Sequence, residues 1–142
     1  MDYMNLANEL MSNMRLLHSA KMQKKVDEAL QGETYVLHYL AYRDAETLPG
    51  DISIQMNVSS ARIAQTLNNM EKKGWITRRI DSGDRRKIIV SLTAEGRMEE
   101  AKHTKTILGL VSEMLSLLDV QDALDYVRIT GKLAEIISKT NK

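Results

Sequence analysis

Leu6, Leu10, Met14 and Leu17 recur at spacings of four, four and three, with Glu9, Asn13 and Arg15 lying off the line they make. That period is one stripe of an α-helix, predicted over residues 2–28. Gly32 punctuates, and residues 33–44, ETYVLHYLAYRD, read as a second and more thoroughly buried helix. LPGD then opens a third, with Pro49 in its first turn and Ile52 and Met56 facing inward. After a short turn at Asn57 and Val58 comes SSARIAQTLNNMEKKG, a fourth helix with Ser59 as N-cap and Gly74 as stop. Its inward stripe is Ile63, Leu67 and Met70; steps of about 100° put Ala61, Arg62, Gln65, Asn69 and Lys72 opposite. That outer face is small and polar, and no acid lies on it.

The period then changes. WITRRI and KIIVSL read as strands flanking a loop at residues 81–86, with Ile88, Val90 and Leu92 on one side of the second. Thr93 caps a long helix reaching about residue 118, a rod of roughly 40 Å, and a last helix runs from Val120 to about Ser138. Both are apolar on more than one face. Ile107, Val111, Met114 and Leu118 form one stripe and Leu108 and Leu115 another; Val127, Ala134 and Ile137 stand apart from Ile129, Leu133 and Ile136. Surface that wide needs cover from two sides, and the simplest cover is a second copy of the chain.

Composition narrows the chemistry. The 142 residues suit one domain, or one that shares its core with a partner. Aromatics make up only 4% and Phe is absent, so the nine Met are expected to fill much of the core. With no Cys there is no disulfide, thiolate zinc site or thiol redox sensor. No apolar run has the length of a membrane span, and no signal-peptide core opens the chain, so the cytoplasm is the expected location. No phosphate-binding glycine loop or nucleophile motif points to an enzyme, and no cofactor is expected. The net charge of +1 is uninformative, but its distribution is not: residues 62–90 carry 8 basic and 3 acidic side chains, between two flanks of net negative charge.

The basic centre ends in DSGDRRKIIVSLT, residues 81–93. A hairpin tip entering the narrow minor groove of DNA needs a guanidinium, and an adjacent acid holds it in place. Asp84 and Arg86 have that relation, Gly83 permits the turn, Arg85 and Lys87 reach phosphates, and Arg78 is a further DNA-binding candidate in the same basic cluster. On the fourth helix Arg62 suits guanine and Gln65 adenine, Asn69 and Lys72 lie further along, and Ala61 is small enough for close approach. Ser59 and Ser60 stand where hydroxyls and helix amides bind phosphate. The fold class is therefore mainly α with a small β-hairpin wing, a winged helix-turn-helix reading double-stranded DNA.

Through NVSSARIAQTLNNMEKKGWITRRIDSGDRRKIIVSLTAEG, residues 57–96, with compatible helices on both sides, the sequence resembles the MarR family of bacterial transcriptional regulators. The pattern Asp-x-x-Asp-Arg-Arg, followed by an apolar strand and LTAEG, carries the likeness. The resemblance implies one domain over residues 1–142, with the winged part at about 33–92 and dimerisation helices at about 2–28 and 93–140. It further implies an obligate homodimer on a palindromic operator, with Arg86 in the minor groove and Asp84 as its partner. Gly83 departs from the pattern, since relatives often place a basic residue there.

Tyr35, His38, Tyr39 and Tyr42 share one face of the second helix. With His18 they are candidates to line a pocket for a small-molecule effector; the plainer reading is a core layer with its hydroxyls turned to water. His18, His38 and His103 fall on three helices without ligand spacing, so no metal site is expected. A winged-helix dimer used only as a protein-interaction module is the alternative to a DNA-binding repressor.

Overall fold

The computed structural model describes residues 1–43 and 45–141. The element order is α1 (Tyr3–Ser19), α2 (Lys21–Ala29), α3 (Gly32–Tyr42), α4 (Pro49–Met56), α5 (Ser60–Lys72), β1 (Ile76–Ile80), β2 (Ile88–Leu92), α6 (Ala94–Ser116) and α7 (Val120–Thr140). The chain divides into two units, residues 1–107 and residues from 108 onward.

The first unit is built around α3, α4, α5 and the hairpin. Val36, Leu37, Leu40, Ile52, Ile63, Leu67, Met70, Ile76 and Val90 form one buried cluster, against which Tyr39, Met56, Val58, Trp75 and Leu92 pack. The inward stripe expected of the fourth helix is thus the one the core uses. β1 and β2 pair antiparallel, Ile76 with Leu92 through Ile80 with Ile88. An isolated bridge from Thr47 adds a single rung on the other side of β2, with the Val90 amide donating to the Thr47 carbonyl at 2.9 Å.

Local chemistry sets the ends of these helices. Asp51 accepts from the Leu48 amide at 3.0 Å at the start of α4. Asn57 ends α4 in the left-handed region at φ 53°, which Asn tolerates better than most residues. Ser59 Oγ accepts from the Arg62 amide at 3.1 Å, so Ser59 caps α5 as expected. At the other end Gly74 takes φ +79°; its amide bonds to the Glu71 carbonyl at 3.0 Å, and the Trp75 amide to the Met70 carbonyl at 3.0 Å. That paired arrangement closes the helix and turns the chain straight into β1. Thr93 Oγ1 accepts from the Gly96 amide at 3.0 Å and starts α6.

Three expectations need correction. The helix over residues 2–28 is two helices, broken at Ala20, which is extended at φ −73° and ψ 135°. The apolar stripe ends at Leu17 and resumes out of phase at Met22 and Val26, and the break rephases it. The methionines fill little of the core: Met70 belongs to the buried cluster and Met56 packs against it, while Met1, Met4, Met11, Met14 and Met98 are exposed. Met4, Met11 and Met14 sit on α1, which has no buried residue. Gly83 does not need glycine's freedom, because the positive-φ glycines are Gly32 and Gly74. Asp44, with which the second helix was expected to end, lies outside the described residues, as does Lys142 at the end of the expected domain.

α1 has no buried residue, and neither has α7 in the second unit. Leu6, Leu10, Met14 and Leu17 on the one, and Leu124, Val127, Ile129, Leu133 and Ile136 on the other, are exposed. Among the described residues no helix is long and apolar enough to cross a membrane.

Candidate nucleic-acid interface

α5 presents one face to the core and the other to solvent. Ser60, Ala61, Arg62, Gln65, Asn69 and Lys72 are all exposed, as the helical period requires once Ile63, Leu67 and Met70 are buried. Arg62 and Gln65 lie within the first two turns, where a helix entering a major groove end-on places its base-reading side chains. The sole acid among the residues of α5 is Glu71. An unpaired carboxylate there would repel phosphate, but Glu71 is bound by Arg78. Hydrogen bonding from Arg78 holds its carboxyl below the usual range.

The hairpin tip is closed by two main-chain bonds, Asp81 amide to Lys87 carbonyl at 2.9 Å and Lys87 amide to Asp84 carbonyl at 3.0 Å. Inside that loop Asp84 Oδ1 accepts from the Arg86 amide at 3.0 Å and from its Nε at 3.2 Å, and Oδ2 accepts from Nη2 at 3.4 Å. The two ends of the pair differ in exposure. The Arg86 side chain is 92% exposed and that of Asp84 only 29%, so the acid anchors and the guanidinium projects. The Arg86 side-chain bond, its backbone amide and the nearby Lys87 charge keep the Asp84 carboxyl below its ordinary range. Arg85, between the two, and Lys87, just after them, are exposed. The geometry is a held cation at the end of a stalk, suited to a narrow negative groove.

Arg78 behaves differently. Its guanidinium turns back to α5, with Nε donating to Glu71 Oε2 at 3.2 Å and Nη2 to Glu71 Oε1 at 3.1 Å and Asn68 Oδ1 at 2.6 Å. Sequence reasoning missed both partners, since nothing in the spacing of Asn68, Glu71 and Arg78 announces that a turn folds them together.

The tyrosine face of α3 is real. Tyr35, His38, Tyr39 and Tyr42 line a hollow of about 460 Å³ together with Arg43, which sequence reasoning also missed. The Tyr35 and Tyr39 rings stack at 6.3 Å, His38 and Tyr42 lie 4.6 Å apart, and Arg43 stands over the Tyr39 ring at 5.3 Å. His18 is not in this lining. It sits on α1 and pairs with Asp27 of α2 at 2.8 Å across the break at Ala20. His38 Nδ1 lies 3.5 Å from Glu100 Oε1, while His103 pairs with Glu99 at 3.0 Å, one helical turn away. Among the described residues no group of three potential ligands gathers around a metal position.

Residues 33–111 match the family model described as the winged helix DNA-binding domain. The chain is similar to the HTH-type transcriptional repressor MdtR of Bacillus subtilis, 29% identical over 98% of this chain and 95% of that one. Its fold is that of a MarR transcriptional regulator from Methanosarcina mazei, with a TM-score of 0.70 at 18% identity, covering 96% of this chain and 99% of that one. A second structural match is Staphylococcus aureus MepR, solved as a complex with DNA, with a TM-score of 0.69 at 21% identity, covering 90% of this chain and 96% of that one.

Proposed function

The chain belongs to the winged helix DNA-binding domain family, and from that premise we propose that it is a MarR-type transcriptional repressor binding a palindromic operator as a homodimer and released by a small-molecule effector. The observation that carries the DNA-binding part is the Asp84–Arg86 pair. A guanidinium 92% exposed and locked by its own neighbour has no task inside the fold. It matches what a minor groove requires. In this reading Arg62 and Gln65 read base edges, while Ser59, Ser60, Asn69, Lys72, Arg85 and Lys87 position the protein on phosphates, and Ala61 lets the helix approach. The MepR–DNA complex and the naming of MdtR as a repressor support the same direction.

Dimerisation rests on α1 and α7, whose exposed apolar stripes are more than a soluble monomer ordinarily carries. A two-fold axis then implies an inverted-repeat operator with half-site centres about 34–36 Å apart. The hollow lined by Tyr35, His38, Tyr39, Tyr42 and Arg43 is the proposed effector site, with an aromatic floor and one cation at its edge.

The decisive experiment is duplex binding measured by fluorescence anisotropy over a salt series, with DNA from upstream of the protein's own coding region beside random duplex. A regulator binds the upstream DNA far more tightly, with affinity falling linearly on a log–log salt plot. Weak and equal binding to both duplexes at every salt concentration would instead fit a protein-interaction module.

A further inference from the structure

Arg78 and Arg79 are consecutive on β1, so their side chains leave opposite faces of the hairpin. Each meets an acid from the body of the fold. Arg79 Nη2 stands 3.7 Å from Glu46 Oε1 in a loose pair whose side chains are both more than half exposed. Arg78 makes the tight one, three hydrogen bonds to Glu71 and Asn68, and its side chain is only 25% exposed.

The height of this contact on the hairpin matters. At the base, Ile76, Ile89 and Val90 are buried. Beyond it, Ile80 and Ile88 are exposed, and the tip begins. Arg78, paired with Val90, therefore sits where the hairpin leaves the body. α5 and β1 are joined by a tight turn through Gly74, and the Arg78 bonds span that turn from one element to the other.

We infer that Glu71 and Asn68, acting through Arg78, are positioning residues that fix the angle between α5 and the wing, so that helix and tip reach their two grooves together. This rests on the DNA-reading function proposed above. The charge of Glu71 sharpens the case. An acid on a helix that lies against phosphates opposes binding, and its presence calls for a compensating task. Two roles for Arg78 then predict opposite signs. If Arg78 were a phosphate contact, removing Glu71 would free it and tighten binding. As a brace, its loss of Glu71 loosens the wing and weakens binding, even though the protein becomes more positive.

The test is Glu71→Ala in the full chain, a substitution that favours helix and so preserves α5. The probe is a duplex carrying the sequence that wild-type protein selects from a random pool. Affinity is expected to fall about tenfold, while selection with the variant returns the wild-type motif, because no base-reading side chain has changed. In an Arg86→Ala background Glu71→Ala adds no further loss, since aiming a wing without its tip gains nothing. Nitrogen-15 relaxation, measured without DNA, is expected to show lower order parameters for residues 80–88 relative to α5. Unchanged or tighter binding, or an effect fully additive with Arg86→Ala, overturns the brace. If wild-type protein selects no sequence, the regulator reading fails instead. The relaxation measurement then decides alone, and unchanged order parameters overturn the inference.

Discussion

Gly96 lies so close to the main chain of Trp75 that no side chain fits between them. A Cβ on Gly96 would overlap the Trp75 carbonyl oxygen and stand 2.9 Å from its carbon and 3.0 Å from Leu92 Cδ2. Beside it, Thr93 Oγ1 donates to the Gly74 carbonyl at 2.6 Å, and the Thr93 amide donates to the Trp75 carbonyl at 3.0 Å. The start of α6 is thus seated on the turn that joins α5 to the wing. Gly96→Ala should force the seat apart and cost about 1–3 kcal/mol, read as a lower Tm in thermal denaturation. An unchanged Tm would mean that the contact relaxes freely.

At the wing, Arg86→Ala should weaken binding to the selected operator by about 1–3 kcal/mol while leaving the fold intact, because the side chain is 92% exposed and, among the described residues, its hydrogen bonds go to Asp84. The same substitution should let the Asp84 carboxyl return upward towards its ordinary range, which carboxyl-detected NMR would report. The sign follows from the depressed carboxyl. The pair's contribution is fully present above the ordinary carboxylate range and is lost as pH falls through the lower, folded value. Operator affinity should therefore owe no pH dependence to this pair between about pH 5 and 8.

Gly83 offers the converse experiment. Its backbone is outside the left-handed region, and an added Cβ would meet Asp81 Oδ2 at an ordinary 3.7 Å. Gly83→Arg should change stability by less than about 0.5 kcal/mol. It should also add one phosphate contact, steepening the salt dependence of binding by about one unit of log–log slope. An unaltered slope would show that the tip stands off the backbone.

On α5 the exposed residues should divide by task. Arg62→Ala or Gln65→Ala should relax preference at particular base pairs, whereas Lys72→Ala should lower affinity evenly across sequences. Selection experiments returning the wild-type motif from both Arg62 and Gln65 variants would remove the base-reading assignment.

Much of this arrangement was legible in the sequence because its signals are local. Ser59, Gly74 and Thr93 mark ends that depend only on neighbouring residues, and the Ile63–Leu67–Met70 stripe is a period. The break at Ala20 left no such mark: Ser19, Ala20 and Lys21 include no breaker, and only the phase slip between Leu17 and Met22 betrays it. Thr47 forms a single rung, too short to make a pattern. Arg78 looked like its basic neighbours, since its partners are set by a turn in space and not by spacing. The methionines misled because composition says how much apolar volume exists, not which chain covers it.

Assembly can be checked directly. Sedimentation at low micromolar concentration should give twice the chain mass of 16.1 kDa. Leu133→Glu, placing a charge on an exposed apolar stripe of α7, should lower that mass or abolish folding. Inserting about half a helical turn between operator half-sites should abolish tight binding by wild-type protein, because one half-site rotates to the far side of the duplex. A stable, well-folded monomer would overturn the dimer and the spacing rule together.

The buried cluster also has an order in time. All nine of its residues fall between Val36 and Val90. A ribosome working from the N-terminus has therefore delivered everything this core needs before it reaches α7, and domains generally fold as units during synthesis. α1 is translated before this core and α7 after it, yet neither has a buried residue. Under the dimer proposed above, such a chain would complete its winged body before its pairing surface, of which α7 comes last. Each protomer of that dimer would then pass through a stage in which its winged body is folded and α1 and α7 are still uncovered.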